Sequence, residues 1–143
     1  MRMVSGWRKV GGLIKQSDSE KITINVGYVD LGHIDLLVRE GFYSNRTDLI
    51  RTAIRNQIAS HAEVLRQTVS RRSLVLGIHH YSREDLEAAR ARGERLQIQV
   101  LGLASIADDV SPALALKTIE SIVVLGALHA SPGVKRALAA RIN

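Results

Sequence analysis

The alternation in Lys21-Ile22-Thr23-Ile24-Asn25-Val26 constrains this chain more than any other feature. Lys21, Thr23 and Asn25 fall on one side of an extended backbone, and Ile22, Ile24 and Val26 on the other. A period of two built from β-branched residues predicts a half-buried strand. The next residues do not supply a second strand. They form two segments of helical periodicity, split by Gly41-Phe42-Tyr43-Ser44. A lone strand leaves its N–H and C=O groups without partners, so it must find them in another chain. The simplest partner is a second copy. Two copies paired antiparallel would present a basic, a hydroxyl and an amide side chain from each strand on one face. Side chains of these types read base edges in a DNA major groove, which admits a two-stranded ribbon.

The two helical segments fit that picture. Asp30 is placed to cap a first helix, with Leu31, Ile34, Leu37 and Val38 at helical spacing. Gly41 suits the left-handed position that ends a helix, and Phe42 supplies the hydrophobic contact behind it. Ser44 is then expected to cap a second helix, with a buried stripe of Ile50, Ala53, Ile54, Gln57 and Ile58. The stripe extends through His61 or Ala62 to Leu65 and Val69, so this helix could be long.

The strand KITINV, the loop GFYSNRTD and the helix LIRTAIRNQI, in this order, resemble a ribbon–helix–helix DNA-binding domain of the MetJ/Arc/CopG class over residues 21 to about 60. The resemblance covers under a third of the chain. It implies a dimer formed through the ribbon, double-stranded DNA as partner, and a transcriptional regulator, either a repressor or an autoregulator. It also implies that Lys21, Thr23 and Asn25 read bases, and that the backbone around Ser44, Asn45 and Arg46 holds a phosphate. Helix N-termini bind anions on independent physical grounds. Ser44 could equally be an ordinary cap, and both roles are compatible.

Charge and composition set the outer bounds. The net charge is +6. Residues 1–71 carry eleven Lys/Arg against seven Asp/Glu, and residues 72–143 carry nine against seven, so the N-terminal half holds most of the excess. That favours a polyanionic partner. The chain has no cysteine, which excludes disulfides, thiolate metal sites and a cysteine nucleophile, and fits a reducing cytoplasm. No apolar run approaches membrane length; the longest, Ile122 to Leu128, suits a core strand or helix. No signal peptide is recognisable. Residues 1–20 read as a flexible basic arm carrying Arg2, Arg8, Lys9 and Lys15, or as a short amphipathic helix through Trp7, Val10 and Ile14.

The C-terminal half repeats. Val75-Leu76-Gly77, Val100-Leu101-Gly102 and Val124-Leu125-Gly126 recur at spacings of 25 and 24 residues. Each is followed by a helix start: Ser82 with Glu84 and Asp85, Ser111-Pro112, and Ser131-Pro132. The unit is strand, turn, helix, used three times, with strands near 73–79, 96–103 and 119–128. Helices are expected near 82–93, 111–117 and 132–142. Strands joined by helical crossovers run parallel. The expected architecture is α+β: a basic arm (1–20), a β-α-α dimer-forming ribbon–helix–helix domain (21–70), and a small parallel β/α repeat domain (71–143). A compact α/β ligand-binding sandwich is the alternative for the last part. That part would drive oligomerisation beyond the dimer through a free edge strand, bridging DNA, or gate the protein through an effector.

Other chemistry finds little support. His79 and His80 are adjacent on a strand and point to opposite faces. By the repeat register His80 matches Ser105 and His129, which places the two histidines two strands, roughly 10 Å, apart. That is long for a shared ion. Nickel-responsive members of the resembled class use several histidines and a cysteine, a set this chain lacks, so no metal or other cofactor is expected. Asp108-Asp109 falls in a turn, Ser105 and Ser111 have no His–acid pair beside them by periodicity, and Gly77, Gly102 and Gly126 form no phosphate loop. No catalytic residues are assigned.

Overall fold

A computed structural model of the chain describes residues 19–143. It also describes the backbone of two short strands, β1 (Lys9–Val10) and β2 (Leu13–Ile14), which pair antiparallel. That pairing replaces the amphipathic helix through Trp7, Val10 and Ile14, because Gly11-Gly12 inside the stretch penalises a helix. The rest of the expected basic arm, residues 1–18, lies outside the described residues. The chain forms two compact units, Lys21–Thr68 and a second that contains Val69–Asn143 with Ser19 and Glu20.

In the first unit, Lys21–Val26 has no regular secondary structure. The strand expected there does not form within one chain. A strand exists only as part of a ladder, and among the described residues this one has no ladder partner. α1 (Tyr28–Arg39) starts three residues before the first helical position that an Asp30 cap would set. Gly27 takes the N-cap position, and Asp30 sits in the first turn, where its negative charge is favourable to the positive end of the helix dipole. α1 ends as expected. Gly41 is left-handed at φ +88°, its N–H donates to Val38 O (3.1 Å), and the Phe42 N–H donates to Leu37 O (3.0 Å). That is the double bond pattern of a glycine-terminated helix.

α2 (Arg46–Ala59) is capped by Asn45 instead of Ser44. The Asp48 N–H donates to Asn45 Oδ1 (2.8 Å), and Asp48 Oδ2 accepts the Ser44 N–H (3.0 Å). The long second helix is two helices, because α3 (Ala62–Arg71) is separate. At the break the Ser60 hydroxyl donates to Gln57 O (2.6 Å), a local bond that competes with helix continuation. Beyond α3, Ser73 is left-handed at φ +54°, and the next strand starts two residues later than expected.

The second unit is a three-stranded parallel sheet in sequential order: β3 (Val75–Tyr81), β4 (Leu96–Ile106) and β5 (Ile119–His129). The Val-Leu-Gly repeats align in register, with Gly77 beside Gly102 and Gly102 beside Gly126. Each strand is followed by its helix: α4 (Arg83–Ala91), α5 (Pro112–Thr118) and α6 (Pro132–Ala137). Ser82, Ser111 and Ser131 cap them, each hydroxyl accepting an N–H three residues on. Alternate strand residues Ile98, Val100, Ala104, Ile106 and Ile122 are buried with Leu86, Leu114, Val134 and Leu138 from the helical segments. Each fully buried aliphatic side chain contributes about 1.5–3 kcal/mol. All three helices therefore share one face of the sheet. Residues after α6 return to this core: Arg141 Nη1 donates to Leu116 O and Ile119 O (both 2.7 Å), and Ile142 bridges to Ile122 at the margin of β5.

Candidate nucleic-acid interface

Lys21, Thr23 and Asn25 are exposed on the segment before α1. So are their apolar alternates: Ile22 is 75% and Ile24 66% exposed. Elsewhere in the unit the apolar residues are exposed or only partly buried. No residue of α1, α2 or α3 is buried, and Val29, Leu36, Phe42, Ile54 and Ile58 all lie open. A folded unit of this size with no buried side chain has no core of its own. The stripe expected on α2 forms, but one copy of the chain has nothing among its described residues to bury it against.

The turn between α1 and α2 is well defined. Arg46, at the first helical position of α2, forms a bidentate ion pair across it with Asp35 on α1 (Nε–Oδ1 2.7 Å, Nη2–Oδ2 2.9 Å). The bonded guanidinium holds the Asp35 carboxyl below its ordinary range, with Arg39 adding a smaller effect in the same direction. This pair is not legible in the sequence, because nothing in an eleven-residue separation across a turn marks two residues as neighbours. Its consequence for the expected phosphate site is direct. The Arg46 side chain is engaged with Asp35, and the Ser44 N–H is engaged with Asp48. The groups left at this helix start are the Ser44 hydroxyl and the Asn45, Arg46 and Thr47 amides, the amides being among the donors that a helix leaves unpaired within itself. Arg51 and Arg55, further along α2, are also exposed.

The remaining candidates lie in the second unit. The register sets His80 beside Ser105 and Ser105 beside His129. His80 Nδ1 lies 2.8 Å from Ser105 Oγ, as the repeat register that matches the two positions allows. The pair is exposed, and among the described residues no carboxylate is hydrogen-bonded to the other nitrogen of His80, so the arrangement of an activated nucleophile is incomplete. Ser111 is a helix cap, bonded to the Leu114 N–H. Burial raises the Tyr81 phenol above its usual value. Among the described residues no three His, Asp or Glu side chains are grouped to hold a metal ion, and no helix is long and apolar enough to cross a membrane.

Compared with known proteins, residues 17–135 match the model of the Ribbon-Helix-Helix transcriptional regulator family. The match reaches well past the two helices and through the repeat domain. No curated protein and no solved structure gives a match.

Proposed function

This chain belongs to the ribbon–helix–helix transcriptional regulator family, and on that premise we propose that it is a sequence-specific DNA-binding repressor or autoregulator that works as a homodimer in the cytoplasm. In the dimer, Lys21–Val26 of two copies pair antiparallel into a ribbon. Ile22, Ile24 and Val26 turn inward, against α1 and α2 of both chains. Lys21, Thr23 and Asn25 turn outward into the major groove. The observation that carries this reading is the coreless first unit: an alternating segment outside any ladder, next to two helices whose apolar stripes are open. One further copy supplies the missing ladder and the missing core together.

The start of α2 would hold a backbone phosphate through the Ser44 hydroxyl and the Asn45 and Arg46 amides, with the Arg46 side chain bracing the turn through Asp35. Such contacts set register on the duplex without reading sequence.

The test is a binding series at fixed salt on a selected operator and on random DNA. Thr23→Ala and Asn25→Ala should each lose about 1–3 kcal/mol on the operator per base contact removed and little on random DNA. Ile24→Asp should abolish the dimer, because it buries an unpaired charge in the shared core. Operator affinity unchanged in both alanine variants, with the dimer intact, would falsify the ribbon readout.

A further inference from the structure

We infer that the chain's own N-terminal segment, residues 1–18, docks on the helix-free face of the three-stranded sheet, with Trp7, Val10, Leu13 and Ile14 as its apolar cover. Parallel sheets are normally covered on both sides. Here α4, α5 and α6 cover one side only. On the other, the register lines up Leu76, Leu101 and Leu125 as one row and Ile78, Leu103 and Ala127 as the next. Gly77, Gly102 and Gly126 lie between the rows and leave a groove of about 450 Å³ that crosses all three strands.

The path of the chain identifies the occupant. Ser19 and Glu20 line this groove. They belong to the same unit as the sheet, whereas Lys21 begins the other unit. Residue 18 is therefore one peptide bond from a residue in the groove wall. Three adjacent strands are only about 10 Å across, at roughly 4.8 Å per spacing. Ile14 stands five residues before Ser19, a reach of up to about 17 Å in an extended chain. The segment is thus long enough to cross the face and turn back over it. So short a tether also holds it at an effective concentration on the order of millimolar. A free partner, a second copy included, must displace it from a far lower concentration.

The chemistry of the two sides agrees. Neither row of the face contains a charged residue. The segment carries the single tryptophan of a chain with 3% aromatic residues. Its strands β1 and β2 pair Val10 with Leu13 and Lys9 with Ile14, around Gly11-Gly12. A two-stranded hairpin alone is marginally stable in water at best and needs further structure to pack on. The hairpin lacks a platform, the sheet lacks a layer, and Ser19 and Glu20 bring the two together.

Trp7 is the only tryptophan, so its fluorescence reports on the segment directly. In the full chain, acrylamide should quench it severalfold less than in a free peptide of residues 1–18, and the protection should not change on wide dilution. Leu76→Asp and Leu125→Asp alter positions that are 72% and 49% exposed. Each should raise quenching to the level of the peptide while the circular dichroism spectrum stays that of the folded protein. Arg90→Asp, at an exposed position on α4, should leave it unchanged. Leu13→Asp asks the same question without touching the sheet: it should expose Trp7 and increase the binding of an apolar dye to the full chain. Three results overturn the proposal. The first is a Trp7 as accessible in the full chain as in the peptide. The second is protection that falls on dilution, because a second copy would then supply the cover. The third is protection that survives the substitutions on the face in folded protein, because Trp7 would then be covered elsewhere. None of these measurements involves DNA, so the outcome is independent of the ribbon reading.

Discussion

Gly102→Ala should destabilise the second unit far more than Gly77→Ala, although both glycines occupy the same place in the repeat. All three repeat glycines have φ between +124° and +140°, a region that L side chains rarely adopt. Substitution at any of them therefore carries a conformational cost of about 1–3 kcal/mol. At Gly77 that is the whole cost, because a Cβ there meets nothing within 4 Å. This backbone turns the Cβ direction toward the preceding strand, and β3 is the first strand of its sheet. At Gly102 the Cβ would run into the Gly77 carbonyl oxygen and lie 3.1 Å from its carbon; at Gly126 it would run into the Gly102 carbonyl in the same way. The obstacle is backbone, so no rotamer change relieves it, and the strands must separate. Overpacking of that kind adds about 1–3 kcal/mol or more. The expected total at Gly102 or Gly126 is then about 2–6 kcal/mol, a large fraction of the roughly 5–15 kcal/mol that holds a domain together. Native-state hydrogen exchange at the β4 amides reads the opening of this unit without interference from the first. Equal losses for Gly77→Ala and Gly102→Ala, within about 0.5 kcal/mol, would show that in-plane crowding does not explain the repeat.

Local geometry in the helices gives three more expected outcomes. Asn45→Ala should cost about 1 kcal/mol of α2 stability through the lost cap, and Ser44→Ala distinctly less, as read by helicity of the full chain on urea titration; the reverse order would restore Ser44 as the cap. Ser73→Gly should stabilise the α3 terminus by up to about 1 kcal/mol, because Ser73 carries the left-handed strain that glycine at Gly41 and Gly93 avoids; a loss of thermal stability would mean that its side chain makes a contact worth more than the strain. The Asp35 carboxyl, depressed by Arg46, stabilises the turn above its unfolded pKa, and that contribution disappears as pH falls through the lower folded value. A carboxyl-carbon NMR titration should find its midpoint below the ordinary value near 3.9 and closer to it in Arg46→Ala, and an unmoved midpoint would mean that the pair does not persist in solution.

Whether an interaction is readable from the sequence depends on where its partner lies. The repeat domain is legible because its partners recur at fixed spacing. Near-equal steps of 25 and 24 residues between Val-Leu-Gly units predict one register, and the sheet aligns Gly77, Gly102 and Gly126 in it. The same register matches His80 to Ser105, yet their hydrogen bond depends on side-chain reach, which spacing alone does not supply. The helix ends show a finer limit. Gly41 is legible because only glycine fits a left-handed stop so cheaply. Ser44 and Asn45 are not separable by type, because both are good caps and adjacent; Asp48 decides between them by bonding to the two at once.

The ribbon is the reverse case. Its alternation is the strongest signal in the sequence, yet it forms no strand in one chain. The two facts agree. Alternation reports which side chains are suited to burial, whereas a strand requires backbone partners, and on the dimer reading those partners are in another molecule. The helix-free face of the sheet follows the same logic one level up. Leu76, Leu101 and Leu125 satisfy the pattern of strands buried on both sides, while the repeats supply helices for only one. On the dimer reading the first unit encodes more burial than a single copy provides, and among the described residues the sheet has a covering layer on one face only. Joining dimers into a larger assembly needs a surface outside the ribbon domain, and the repeat domain is the part of the chain left to supply one. Deleting residues 72–143 should accordingly leave single-site recognition intact and remove cooperative binding to adjacent sites, as measured by occupancy on one-site and two-site DNA at constant salt. If two-site occupancy were unchanged by the deletion, the repeat domain would not link one DNA-bound dimer to the next.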